Sequence, residues 1–384
     1  MVLKVASRAG IPPFMVMDVL REANERAAAE EAVYHLELGQ PGTSAPAGVL
    51  DAARDALSSD RLGYTEALGI PPLREAIAGH YRDYYGVAVD TDRIVVTTGS
   101  SGGFVLAFLA AFEVGDRVAL ASPGYPCYRN ILSAFGVEPV TLLAEASDRF
   151  QPTPALLDKA LRDGPIDGLI VASPSNPAGT MLDRKDFADL IDYCKANGIR
   201  LISDEIYHGI TYDRRADTAA EFDDSVIIIN SFSKYFSMTG WRVGWMVVPP
   251  DLARTIECLA QNFFISAPTL SQIAAAAAFD CGEENERRVE AYRANRALLL
   301  DALPKAGFEN FAPADGAFYV YIDIGDLTND SEAFCRKILA DTGVALAPGL
   351  DFDPDRGNRF LRLSYAETNE AIGRAATLLI DRDR

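Results

Sequence analysis

The segment Ser231-Phe-Ser-Lys-Tyr-Phe-Ser-Met-Thr-Gly-Trp-Arg242 holds the densest concentration of reactive side chains in the sequence. It follows Val226-Ile-Ile-Ile229, a β-branched run of the kind that forms a buried parallel strand, so Ser231, Ser233 and Lys234 emerge where that strand ends. A lysine with such apolar flanks is either a solvated surface charge or an amine in a partly desolvated pocket, where its pKa falls and it becomes a nucleophile. Thr98-Gly-Ser-Ser-Gly-Gly103 precedes the apolar stretch from Phe104 to Phe112. A turn of this type at a helix N-terminus offers backbone N–H groups, the Ser100 and Ser101 hydroxyls and a positive dipole end to an anion, typically phosphate. In Ser173-Pro-Ser-Asn-Pro-Ala-Gly-Thr180 the prolines stiffen the loop, aiming the Asn176 amide at a ligand oxygen. Ile199-Arg-Leu-Ile-Ser-Asp-Glu-Ile-Tyr207 ends another apolar run on Asp204 and Tyr207, and a carboxylate there needs a cation or a donor.

Two of these stretches also fit a different chemistry. Gly99 to Gly103 matches GxSxG, with Ser101 as nucleophile, and Ser231 to Lys234 matches SxxK, with Ser231 in that role. The first pattern requires a late histidine, and only His208 follows Ser101, four residues from Asp204. The second lacks its SDN and KTG companions. A serine hydrolase is the remote alternative.

The elements that would position these residues follow a rhythm. Arg93 to Thr98, Arg117 to Ala121, Gly168 to Ala172, Ile199 to Ser203, Val226 to Ile229 and Val243 to Val248 read as strands, mostly separated by amphipathic helical segments. Alternation of this kind predicts an α/β domain, a mostly parallel sheet flanked by helices, and ligands bind at the strand ends of such sheets. Ahead of it, Phe14, Met17, Leu20, Ala23 and Ala27 share one helix face, Tyr34 to Leu38 reads as a strand, and Leu62 to Ile70 as an exposed loop. Pro71-Pro72 opens a helix with Leu73, Ile77, Tyr81 and Tyr84 at core spacing. After residue 285 the pattern becomes α+β. The expected division is a large domain over 45–285 and a small one built from 1–44 and 286–384.

A net charge of −19 disfavours nucleic acid and anionic membranes as partners. The five cysteines are scattered, without CxxC spacing, which points to a reducing compartment and away from both disulfides and a zinc site. The opening residues from Met1 lack a continuous apolar core, so the expectation is a cytoplasmic protein without a signal peptide or a membrane span.

Four strand ends would thus bring together a phosphate cradle, a carboxylate for a ring nitrogen, donors for a phenolate and an amine for a Schiff base. Pyridoxal phosphate needs those parts. The set SNPxGT, DExY, SxSK and GWRxG resembles the class I and II aminotransferases of the aspartate aminotransferase fold type (fold type I), and the resemblance covers nearly the whole chain. It implies that Lys234 binds pyridoxal 5'-phosphate covalently, Asp204 pairs with the pyridinium nitrogen, and Tyr207 and Asn176 bond the phenolic oxygen. By the same resemblance Ser100, Ser101, Ser231, Ser233 and Arg242 hold the phosphate and Tyr125 stacks on the ring. Arg362 would grip the substrate α-carboxylate beside Gly39. Tyr64 would reach the phosphate of the neighbouring subunit in a homodimer, and a small domain formed by both chain ends would close over the large one. The implied reaction moves the amino group of an L-amino acid to a 2-oxo acid in a ping-pong cycle, with a lyase or decarboxylase on the same fold as the alternative. Ser100 and Ser101 stand where some aspartate-specific relatives have a lysine, and Pro12, Pro13 and Phe14 suit an apolar or aromatic substrate.

Overall fold

β-branched and aliphatic runs become fully buried strands when both sheet faces are covered, because no position then has to be polar. The computed structural model, which describes residues 3–29 and 31–382, shows this for Ile94–Thr97, Gly244–Val247 and Ile227–Ser231, in which every residue is buried. Met1 and Val2, which open the segment read as lacking a leader, lie outside the described residues.

The seven-stranded sheet runs in the order Ile94–Thr97, Gly244–Val247, Ile227–Ser231, Arg200–Asp204, Gly168–Ala172, Arg117–Ser122, Glu138–Leu143. Gly244–Val247 is antiparallel to both neighbours and all other pairings are parallel. Alternate side chains enter two different cores. Ile228 and Val247 pack with Leu73, Ile77 and Tyr81 on one face, while Ile227, Ile229 and Met246 pack with Phe104 and Phe108 on the other. Glu138–Leu143 was not among the expected strands: it forms an edge, only Leu142 is buried, and it therefore lacks the continuous apolar run of its neighbours.

A second, antiparallel sheet orders Ala347–Pro348, Phe360–Ser364, Tyr319–Asp323 and Asn310–Phe311, and places Arg362 opposite both Tyr321 and Ala347. Its core includes Leu299, Leu303, Ile338, Ile372 and Leu379 from the helices Gly282–Lys305, Ser331–Thr342 and Asn369–Asp381. Residue 285 lies in the first turn of the 24-residue helix Gly282–Lys305. Near the start of the chain, Tyr34–His35 pairs in parallel with Val344–Ala345. The expected strand Tyr34 to Leu38 is confined to those two residues, although Leu36 still donates its N–H to Ala345 O. Among the described residues no helix is long and apolar enough to cross a membrane.

Two expected helix faces are turned. In Met15–Ala28 the buried residues are Val16, Val19 and Ala23, and Met17 is 52% exposed. The cause lies at the first turn: the Asp351 carboxylate accepts the N–H groups of Met15 (2.8 Å) and Val16 (2.7 Å), which sets the helix's rotation. In the second case Pro71–His80 runs into a π-helical turn, Tyr81–Tyr85, which inserts a residue and hands the buried position expected for Tyr84 to Tyr85. Tyr85 donates to, or accepts from, His208 Nδ1 at 2.8 Å. Tyr85→Ala is expected to cost about 3–5 kcal/mol in chemical denaturation, and Tyr84→Ala well under that.

Candidate active site

The ends of the Gly168–Ala172 and Arg200–Asp204 strands, the turn that follows the Ile227–Ser231 strand and the start of the helix Gly99–Ala111 supply residues to one cavity of about 240 Å³. Phe14, Met17 and Gly39 line it from the N-terminal segment, and Tyr319 and Arg362 from the antiparallel sheet.

At the helix N-terminus, Ser100, Ser101 and Arg242 share the wall with Ser233. Gly99 has φ +74°, and a Cβ there would lie 2.6 Å from Arg242 Nη2, so a side chain at this position would displace the guanidinium. Arg242 is itself left-handed, with Nη1 donating to Thr239 O at 3.0 Å. Ser231 is buried behind the wall. Its hydroxyl bonds Ser233 Oγ (2.9 Å) and Val243 O (3.2 Å), and only Ser233 of the pair lines the cavity.

Lys234 Nζ donates to Gly39 O at 2.5 Å. Burial pulls the amine down to about 8; the positive charges of Arg362 and Arg242 act in the same direction and Asp204 opposes them. Burial raises Asp204 to about 6, against the hydroxyl of Tyr128, the Ile206 N–H and Lys234, all of which favour its ionised form. Tyr207, pushed well above the usual phenol range by burial, shares a 2.7 Å hydrogen bond with the Tyr319 hydroxyl.

Arg362 is 2% exposed and donates only to neutral oxygens: Asn176 Oδ1 (2.9 Å) and the Glu37 carbonyl (2.5 Å). Its Nε has no partner among the described residues. The guanidinium stacks between the rings of Tyr319 and Phe352, 4.4 and 4.6 Å from their centroids. A Cβ at Gly39 would overlap the Tyr319 hydroxyl.

Of the residues singled out in the sequence, the cavity gathers Gly39, Ser100, Ser101, Tyr125, Asn176, Asp204, Tyr207, Ser233, Lys234, Arg242 and Arg362. Tyr64 stands apart, 85% exposed on its loop. Sequence reasoning passed over Tyr128 and Tyr319. Tyr128 had a signal, standing three residues after Tyr125 at a helix start, which puts both on one side of Pro126–Phe135. Tyr319 had none, because Phe318 to Tyr321 reads as ordinary strand and core. The hydrolase arrangement is not formed: His208 is occupied by Tyr85 and the Ser173 carbonyl (3.0 Å), and neither Ser101 nor Ser231 bonds a histidine among the described residues.

Comparison with known proteins agrees with this geometry. The sequence model of "Aminotransferase class I and II" matches residues 32–379. The valine–pyruvate aminotransferase of Mycobacterium tuberculosis is 50% identical, with 98% of each chain covered. A crystal structure of an aminotransferase from the same organism superposes with a TM-score of 0.95 at 51% identity, covering 98% of both chains. Aspartate aminotransferase from Thermus thermophilus with maleate does so at 0.91 and 28%, covering 99% of this chain and all of that one. With the mostly parallel sheet and the lysine, carboxylate and arginine in one cavity, these matches show that the chain is an enzyme of aspartate aminotransferase fold and belongs to the class I and II aminotransferases.

Proposed function

We propose that this aminotransferase takes the amino group of a small apolar L-amino acid, with valine as the type, and delivers it to a 2-oxo acid such as pyruvate. The observation that carries the reading is Arg362, a buried guanidinium with neutral partners and an unpaired Nε. A charge so placed needs an anion from outside the chain, and a planar α-carboxylate matches its fork. The cavity's remaining cations are Lys234 and Arg242. Both have tasks of their own, which leaves none on this wall for a second carboxylate on the substrate. Phe14, Met17 and Tyr125 offer apolar surface in its place. The name of the mycobacterial relative points the same way.

The residues present fit pyridoxal phosphate. Ser100, Ser101, Ser233, Arg242 and the helix N-terminus form an anion cradle that a Cβ at Gly99 would fill, with Ser231 bracing Ser233. Asp204 keeps a proton on the ring nitrogen, while Tyr207 and Asn176 donate to the phenolic oxygen; Tyr125 covers the ring. When bound, the cofactor supplies an electron-accepting ring that stabilises negative charge at the substrate α-carbon. Lys234 would hold the cofactor, and an amine near 8 is suited to take the substrate α-proton as general base. Arg362 fixes the carboxylate and so the direction of the α-hydrogen. In our reading Tyr64 acts across a homodimer interface, and the segments 1–44 and 286–384 close as a unit over residues 45–285.

The decisive test mixes the pyridoxal phosphate-loaded protein with L-valine alone. The visible band is expected to bleach with release of one 2-oxo acid per site and to return with pyruvate; steady release of ammonia or carbon dioxide would establish the lyase or decarboxylase reading in its place. Arg362→Lys is expected to lower kcat/KM for valine by about 100-fold or more, the loss of a charged bidentate contact, with cofactor affinity unchanged by equilibrium titration. In cofactor-free protein, the depressed Lys234 means that between pH 8 and 10.5 the unfolded chain binds more protons than the folded one. Lys234 therefore adds stability as pH rises through that window, and thermal denaturation of Lys234→Met should lack that increment.

A further inference from the structure

Tyr319 has no task in the reading above, on which this inference rests. It is 1% exposed on the Tyr319–Asp323 strand and lines the cavity. Its hydroxyl meets the Tyr207 hydroxyl at 2.7 Å, its ring lies under the Arg362 guanidinium, and the absence of a side chain at Gly39 makes room for its oxygen. The position of that oxygen is thus set from three sides.

A phenol has one proton and two lone pairs, so within this pair one hydroxyl donates and the other accepts. An anionic oxygen on the free side of Tyr207 decides the order, because it takes the Tyr207 proton and leaves the Tyr207 oxygen to accept. Hydroxyls in series polarise one another, and a donor that itself accepts a hydrogen bond donates more strongly. Other titratable groups facing the pair are Arg362, Lys234 with Nζ 6.0 Å over the Tyr207 ring, Tyr125 and Tyr128 at the same wall, Tyr365, and Asp204. None of these is hydrogen-bonded to either hydroxyl among the described residues.

We propose that Tyr319 is a positioning residue that donates its proton to Tyr207 and so commits the Tyr207 proton to the phenolic oxygen of bound pyridoxal phosphate. The charge on that oxygen sets the pH at which the visible band of the loaded protein changes. Its ring has a separate task, supporting Arg362 against the substrate carboxylate.

The test is a pH titration of the visible band in loaded wild type, Tyr319→Phe and Tyr207→Phe. A donor stabilises the phenolic anion, so removing one makes that oxygen more basic and moves the midpoint to higher pH. Tyr207→Phe should raise it by about 1 unit or more, and Tyr319→Phe, which removes only the polarisation, by about 0.3–0.6 unit. Tyr319→Phe keeps the ring, so KM for valine should stay within about twofold of wild type, whereas Tyr319→Leu, which loses the stacking, should raise KM about fivefold or more. Circular dichroism of each variant verifies that it is folded. If Tyr207→Phe moves the midpoint and Tyr319→Phe leaves it within about 0.1 unit, the inference falls and the site reading stands. If neither moves it, the placement of the phenolic oxygen at Tyr207 falls and takes the inference with it.

Discussion

The structure is organised around a positive charge that the chain buries without hydrogen-bonding it to a carboxylate among the described residues. Arg362 sits on a strand with 2% exposure, and a bare ion so placed would carry a large desolvation cost. The protein offsets part of that cost with neutral groups drawn from distant parts of the sequence: the Glu37 carbonyl, the Asn176 amide oxygen, and the faces of Tyr319 and Phe352. The start of the chain, a loop of the large sheet and the C-terminal sheet are therefore obliged to meet at one side chain. Asp351 acts on Arg362 only through its field, and a carboxylate hydrogen-bonded to the guanidinium would have left an outside anion far less to gain.

The same logic governs the lysine and the aspartate. Both are pushed toward their neutral forms by burial, yet each acts to keep the other charged. Lys234 is further disfavoured as a cation by Arg362 and Arg242. An amine brought down to about 8 can shed its proton near neutral pH, and a carboxylate at about 6 stays largely ionised there while its donors, Tyr128 and the Ile206 N–H, hold it in place. These values arise from the positions of five charged or phenolic groups and the exclusion of water, not from any residue acting alone.

Much of this was legible in the sequence, because the strands of a covered parallel sheet are apolar throughout and the reactive residues stand where each run stops. Asp204, Asn176 and Lys234 could be placed together on that basis alone. What escaped was what depends on pairing and rotation. The edge strand Glu138–Leu143 has one buried residue and so no apolar signature. The π-turn at Tyr81–Tyr85 changes which tyrosine is buried through one extra residue per turn, and propensity does not register this. Ser231 and Ser233 look equivalent on paper, but Ser231 ends the strand and Ser233 stands in the turn beyond it, so one braces and the other faces the cavity. Tyr319 enters the site only through antiparallel pairing of its strand with that of Arg362, a contact between residues 43 positions apart in the chain.

Asp351 explains why the apolar and the charged parts of the cavity form one unit. It follows Ala347–Pro348, which pairs with the strand of Arg362, and its carboxylate holds the first N–H groups of the helix Met15–Ala28. Phe14 and Met17 are therefore referenced to the same sheet that carries the guanidinium. The Phe14 ring set edge-on against Tyr125, and the Arg129 guanidinium donating to the Asp351 carbonyl, tie the same helix start to Pro126–Phe135 beside the large sheet, so the apolar wall is fixed from both parts of the chain at once.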